Sequence, residues 1–304
     1  MKTVNYELNV FLEKYEMVVN TTTFSPNESE RHICRFCPET NPEKFKSVAH
    51  VIPEFTGNKE LKHYCECDSC NNKFSKYERD LSLFGGIKNI IAGIKGKKYP
   101  KHIDKKNNFF AKSKQNTFQL FEHKPSDAIK IENGKFSIKT DTQKFKPRFV
   151  QKALVKIALS LMDKIEMHKF EKTIEWLSTP EDKITIEEHP LFILIERETN
   201  IPLRKPATML MKRTKEHNSP EYALLFYYGF FAYQIWIPFN KNDENLDYNN
   251  FSFPLSTLVV TDMKNLKEVG FNHYHMTKLK RVKLTDEFES KLKKLVPTPY
   301  IIYC

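Results

Sequence analysis

The chain has 304 residues, with 40% hydrophobic and 13% aromatic content, which supplies enough apolar mass for a packed core and argues against a disordered chain. Lys and Arg (49) outnumber Asp and Glu (38), and the net charge of +11 favours an anionic partner, nucleic acid before acidic membrane, although many soluble proteins are basic for no such reason. Charges are scattered through the first twenty residues and no run of 18 apolar residues occurs, so neither a secretory leader nor a membrane span is expected and the expected setting is cytoplasmic.

In chain order, residues 1–30 read as a helical lead (Tyr6–Val19) followed by a polar stretch. Residues 31–84 hold the cysteine and histidine motifs. Residues 85–106 change character, with Gly85, Gly86, Gly93 and Gly96 and seven lysines against one acid, Asp104. That composition predicts a basic, flexible connector, either solvated or in contact with phosphates. From Phe109 the pattern turns to strands: Phe109–Ala111, Thr117–Glu122, Ala128–Glu132 and Lys135–Thr140, with Asn133-Gly134 as a hairpin turn. Pro147 opens the clearest helix, whose apolar stripe runs from Phe149 to Ile165 at 3.6-residue spacing. A second helix is predicted over Lys169–Leu177. Further strands follow at Leu191–Arg197, Thr208–Arg213, Ala223–Tyr228, Phe230–Pro238 and Phe251–Thr261, then a helix over Thr285–Leu295. The aromatic strands around Phe226–Trp236 read as core more readily than as a base-stacking platform. His273 and His275 form an H-x-H without partner cysteines and read as structural or surface residues.

Five of the six cysteines fall between positions 34 and 70, a clustering that points to metal rather than to a disulfide framework. Cys34-Arg-Phe-Cys37 and Cys67-Asp-Ser-Cys70 are two C-x-x-C pairs separated by 29 residues. Each pair can place two thiolates on one tetrahedral ion, and two such knuckles close a structural Cys₄ zinc site. A redox C-x-x-C would explain one pair and not both. Cys65 reads as a spare or buried thiol, with His32 and His63 as weaker substitutes for a ligand. The stretch between the pairs is too short for a large core, so zinc would supply much of its folding free energy, on the order of 10 kcal/mol.

Between and after the knuckles come Ala49-His50-Val51-Ile52-Pro53, then Gly57-Asn58, then Cys70-Asn71-Asn72-Lys73-Phe74. Over residues 31–84 these motifs, in this order and spacing, resemble the HNH endonucleases in which two C-x-x-C pairs bracket an H-[VI]-I-P element. The resemblance implies a zinc-stapled ββα-metal domain, and the expected fold class is α+β, with a larger α+β domain containing antiparallel sheet over residues 107–304. It also implies that His50 is the general base, that Asn58 holds the loop and orients His50, and that Asn71, at the helix start, touches a catalytic Mg²⁺ or Mn²⁺ ion. One departure is Ala49, where many such proteins carry an acidic metal ligand. Glu78, seven residues after Asn71 on the same helix face, is a candidate second ligand, although an exposed or salt-bridged role competes with it. Asp68 and Glu54 are weaker candidates. The implied substrate is DNA, or else RNA, in a bacterial defence or restriction effector, with Lys73, Lys95, Lys97 and Lys98 as phosphate contacts. Residues 107–304 would choose the target, bind a small-molecule or protein activator, or assemble a homo-oligomer.

The chemistry suits these residue types on its own terms. Hydrolysis of a phosphodiester needs a base for water and a cation for the charge that develops on the phosphate. A neutral imidazole, with an ordinary pKa near ~6.5, accepts a proton at cellular pH. An oxygen ligand such as the Asn71 amide suits a hard ion that keeps several waters.

Overall fold

The computed structural model describes residues 5–8, 10–26, 30–114, 117–122, 128–132, 135–140, 143–179, 191, 193–215, 217–247, 252–256, 271–275 and 280–281. The hairpin turn expected at Asn133-Gly134 and the helix expected at Thr285–Leu295 lie outside these residues, as does most of Phe251–Thr261. It is a mixed α+β fold with antiparallel sheets. No helix among the described residues is long and apolar enough to cross a membrane.

The N-terminal segment departs from the helix expected over Tyr6–Val19. It forms strand β1 (Asn5–Leu8), a single helical turn α1 (Phe11–Lys14) and strand β2 (Tyr15–Asn20). β-branched Val18 and Val19 favour an extended chain, and β2 gains a full ladder by pairing with a strand near residue 210. Tertiary pairing overrides the helical spacing here.

Two short strands, β3 (Ala49–His50) and β4 (Lys62–His63), pair antiparallel, and helix α2 (Asp68–Phe84) follows them. The glycine- and lysine-rich stretch expected to be a flexible connector carries helix α3 (Gly86–Ala92) and strand β5 (Lys101–Asp104). Burial of Ile90, Ala92 and Ile94 anchors it. Strands β5, β6 (Phe109–Lys114) and β7 (Thr117–Glu122) form a small antiparallel sheet, and β8 (Ile129–Glu132) pairs with β9 (Lys135–Ile138). Phe109, Ala111 and Ala128 pack with Ile90 in a satellite core.

Helix α4 (Pro147–Leu161) starts at the expected proline and is buried on every side, not only along its apolar stripe. A 3₁₀ segment, Lys164–Phe170, leads into α5 (Glu171–Ser178). The main sheet is built on β10 (Ile193–Arg213) and β11 (Tyr222–Trp236). Each was expected as two strands. In β10 the join lies across Pro202 and Pro206, where the ladder to β11 shifts register because proline has no N–H to donate. In β11 the join is Gly229, whose φ of 54° is left-handed. β10 pairs with β2 along its C-terminal half and with β13 (Phe271–His275) along its N-terminal half, and β13 pairs with β14 (Lys280–Arg281). β12 (Ser252–Leu255) lies parallel to β1. Phe226, Phe231, Tyr233 and Trp236 are buried, so the aromatic strand is core as expected. One core cluster joins Cys34, Phe36 and Phe74 to α4 and to β11, so the cysteine-bearing segment and the following residues share an apolar interior.

Candidate metal centre and the surroundings of His50

Cys34, Cys37, Cys67 and Cys70 bring their sulfurs within 4.8 Å of one another, and this is the one such group of metal-ligating side chains among the described residues. The first pair lies on a turn and the second on the opening of α2, where Cys67 is the N-cap. The Sγ atoms of Cys37 and Cys67 are 3.6 Å apart, and the Cys67 N–H points at Cys34 Sγ at 3.5 Å. The Cys70 thiol donates to Cys34, which draws the Cys34 sulfur down to about 5 and pushes Cys70 up; burial takes Cys37 up to about 11. Four sulfurs this close form an all-sulfur set that can hold zinc, which binds them as thiolates and displaces their protons. Cys65 is buried outside the group, and His32 and His63 also stand apart from it.

Arg35, inside the first knuckle, ties this frame to the rest of the fold. Its Nη1 donates to the carbonyls of Leu159 (3.0 Å) and Met162 (2.5 Å) at the end of α4, and its Nη2 pairs with Glu30 at 3.2 Å. These bonds satisfy carbonyls that a helix end otherwise leaves open. Phe36 packs edge-on against Phe74 of α2, with ring centroids 4.8 Å apart.

His50 ends β3 and is half-buried. The loop that follows is closed by Asn58, whose amide N donates to the carbonyls of Ile52 (2.7 Å) and Leu61 (3.0 Å) while its Oδ1 accepts from the N–H groups of Glu60 and Leu61. These bonds close the loop on the Asn58 side chain. Gly57 beside it has a φ of +99°, and a Cβ there would lie 2.5 Å from the Arg204 carbonyl oxygen. The basic loop 95–98 docks on the same turn: Lys59 Nζ donates to the Gly96 carbonyl at 2.7 Å and to Glu54 at 2.6 Å, and Gly96 abuts the Phe55 backbone. This close approach brings Lys97 into the field of the imidazole. Burial lowers the His50 pKa, Glu54 opposes that shift, and the charges of Lys156, Lys62 and Lys97 add to it. The ring has no hydrogen-bond partner among the described residues, and its burial disfavours the protonated form.

Beneath β3 lies a buried charge cluster. Lys156 of α4, 1% exposed, donates from Nζ to the His50 carbonyl at 2.6 Å. The same ammonium lies 3.2 Å from fully buried Glu66 and 3.7 Å from Glu78. Burial pushes the Glu66 carboxyl up to about 7, with Lys156 opposing, and burial raises Glu78 in the same way. The Lys156 contact fixes the backbone of the histidine from below. Neither Lys156 nor Glu66 stands out in the sequence. Lys152 and Lys156, four apart, fall off the apolar stripe of α4 and read as its solvent side; nothing short of the packing shows that this side is covered.

The other expected residues are engaged elsewhere in the fold. The Asn71 amide N donates to Ser47 Oγ at 3.2 Å, and Asp68 accepts from the Lys46 and Ser47 backbone N–H groups at 3.1 and 2.8 Å, so both fasten the turn that leads into β3. No hydrogen bond joins Asn71 to His50 among the described residues. Glu78 is salt-bridged to Lys156 and Glu54 to Lys59. Lys73 is half-buried, while Lys95, Lys97 and Lys98 are exposed, with Lys95 lying over the Tyr99 ring at 5.5 Å.

No family model, no curated protein and no solved structure matches this chain. The reading of the site therefore rests on its own geometry and on the motif order.

Proposed function

We propose that residues 31–98 form an HNH-like endonuclease centre that hydrolyses DNA phosphodiester bonds, with zinc in the Cys₄ frame and His50 as general base. The observation that carries this reading is a half-buried imidazole at the end of β3, paired across the ladder with Lys62 and held by Lys156 at its carbonyl, in the same segment as a Cys₄ cluster. In the proposed reaction His50 takes a proton from water. The water oxygen bonds to phosphorus as the P–O bond to the leaving oxygen breaks, and solvent returns a proton to that oxygen. Lys97 and Lys62 offset the added negative charge on the non-bridging oxygens.

A catalytic Mg²⁺ or Mn²⁺ fits the surrounding side chains poorly. Of the two expected ligands, Glu78 faces Lys156 and Asn71 is turned to Ser47. No step is therefore assigned to that ion. The same observation, together with Ala49, supports a second reading: a zinc module that binds nucleic acid without cutting it.

The test is nicking of supercoiled plasmid across a Mg²⁺ and Mn²⁺ titration, by the wild type and by His50→Ala. The nuclease reading expects cleavage by the wild type, none by the variant, and equal zinc in both. Absence of cleavage in every ion, with binding that weakens steeply as salt rises, would favour the non-enzymatic module.

A further inference from the structure

The small sheet β5–β7 has two unlike faces. Its inner face carries Phe109, Ala111 and Ser113 against α3. Its outer face is open. The register places Ile103, Phe110 and Phe121 in one cross-strand row and Lys101 beside Lys112 in the next, with Lys114 beyond. Ile103 is 62% exposed and Phe121 44%. The rings of Phe110 and Phe121 are stacked, 5.8 Å between centroids and 27° between planes, and the Lys112 ammonium lies 5.0 Å from the Phe121 centroid. Among the described strand residues no carboxylate shares this face: Asp104 and Glu122 pair with Phe109, whose side chain points inward.

Leaving Phe121 and Ile103 in water beside a half-buried Phe110 costs free energy that an ordinary solvent-facing sheet avoids with polar residues. Here the apolar row is flanked by Lys101, Lys112 and Gln119, then by Lys114 and Thr117, with cations and neutral groups and no carboxylate among the described strand residues. Flat apolar rings want a flat apolar partner, and Lys101, Lys112 and Lys114, none of which has a salt bridge among the described residues, want an anion. An unpaired nucleotide strand offers both, since each base has a π-face and each link a phosphate, and base stacking on aromatic side chains tolerates any sequence. A duplex hides its base faces and satisfies only the lysines. In sequence the face begins three residues beyond Lys98, the end of the basic loop that Lys59 holds through the Gly96 carbonyl.

We propose that the outer face of β5–β7 is a binding platform for single-stranded nucleic acid, on which Phe110 and Phe121 stack bases and Lys101, Lys112 and Lys114 meet the backbone phosphates. It is a second site, distinct from the His50 centre, and it stands whether or not that centre cleaves DNA.

The experiment measures fluorescence anisotropy of a labelled 15-nucleotide oligo-dT on the full chain without added divalent ion, against a duplex of the same length. The single strand is expected to bind more tightly than the duplex. Phe121→Ala is expected to weaken single-strand binding about tenfold, the range for losing one base stack. Phe121→Trp preserves the stack, so its affinity should match the wild type and oligo-dT should quench the new indole emission, which also covers the case in which the alanine variant folds poorly. Lys114→Ala should flatten the salt dependence by about 0.7 in log–log slope. The proposal is overturned if the wild type does not bind oligo-dT, if the duplex binds equally well, or if Phe121→Trp binds normally with no quenching. It is equally overturned if the wild type sediments as a dimer that Phe121→Ala dissociates, since a second copy would then cover the face.

Discussion

Two clusters hold helix α2, and they work in opposite ways. At its N-terminal end Cys67 and Cys70 join Cys34 and Cys37 around a space that a soft cation can fill. Two turns on, Glu78 and nearby Glu66 converge on Lys156, a cation supplied by the protein itself. The cysteine cluster is local, spanning residues 34–70, and can take its cation only from outside the chain. The lysine cluster reaches across more than one hundred residues, comes with its own counter-charge, and bears directly on the His50 backbone. The first closes the module. The second ties that module to α4 and sets the field in which the imidazole works.

Breaking each cluster separates these roles. The largest effect is expected from Cys70→Ser. Structural zinc in small modules is worth on the order of 10 kcal/mol, so the variant should lose zinc and expose residues 31–84 to limited proteolysis. Lys156→Met comes next, because it strands Glu66 without a partner in a dry interior. A loss of about 3 kcal/mol or more in urea unfolding is expected, with zinc retained. Adding Glu66→Gln should recover a large part of that loss; no recovery would show that Lys156 matters through packing alone. Asn58→Ala removes hydrogen bonds that close the β3–β4 loop and should cost about 2 kcal/mol, again with zinc bound.

The smallest effect is a displacement of the pH profile. Burial and three lysines disfavour the protonated ring, so His50 titrates below the ordinary value of 6.5. The neutral base is present above its lowered pKa and is lost only as pH falls through it. If His50 is the proposed general base, nicking should be level above that lowered pKa and decline on the acid side. Lys97→Ala should move that decline towards higher pH.

What could be read from the residues follows the same division. The Cys₄ frame and the Asn58 loop clasp were legible because their geometry is carried by short spacings and by side chains with one obvious use. α4 was legible from Pro147 and its apolar stripe, but its burial on all sides was not, and so Lys156 was missed. The N-terminal segment misled because helical spacing over Tyr6–Val19 gave no sign of a pairing partner near residue 210. The glycine-rich stretch after α2 misled because its lysines suggested solvent, whereas its apolar residues Ile90, Ala92 and Ile94 pack inward. The outer face of β5–β7 was latent in the alternation of Phe110, Lys112 and Lys114; only the cross-strand register shows that Ile103 and Phe121 complete it.

In the proposed centre four thiolates grip one ion and thereby frame His50 without involving it. Native mass spectrometry of the wild type, His50→Ala and Cys70→Ser tests this directly. The account predicts one zinc per chain in the first two and none in the third. A wild type without zinc, or a Cys70→Ser variant that keeps it, would contradict the account.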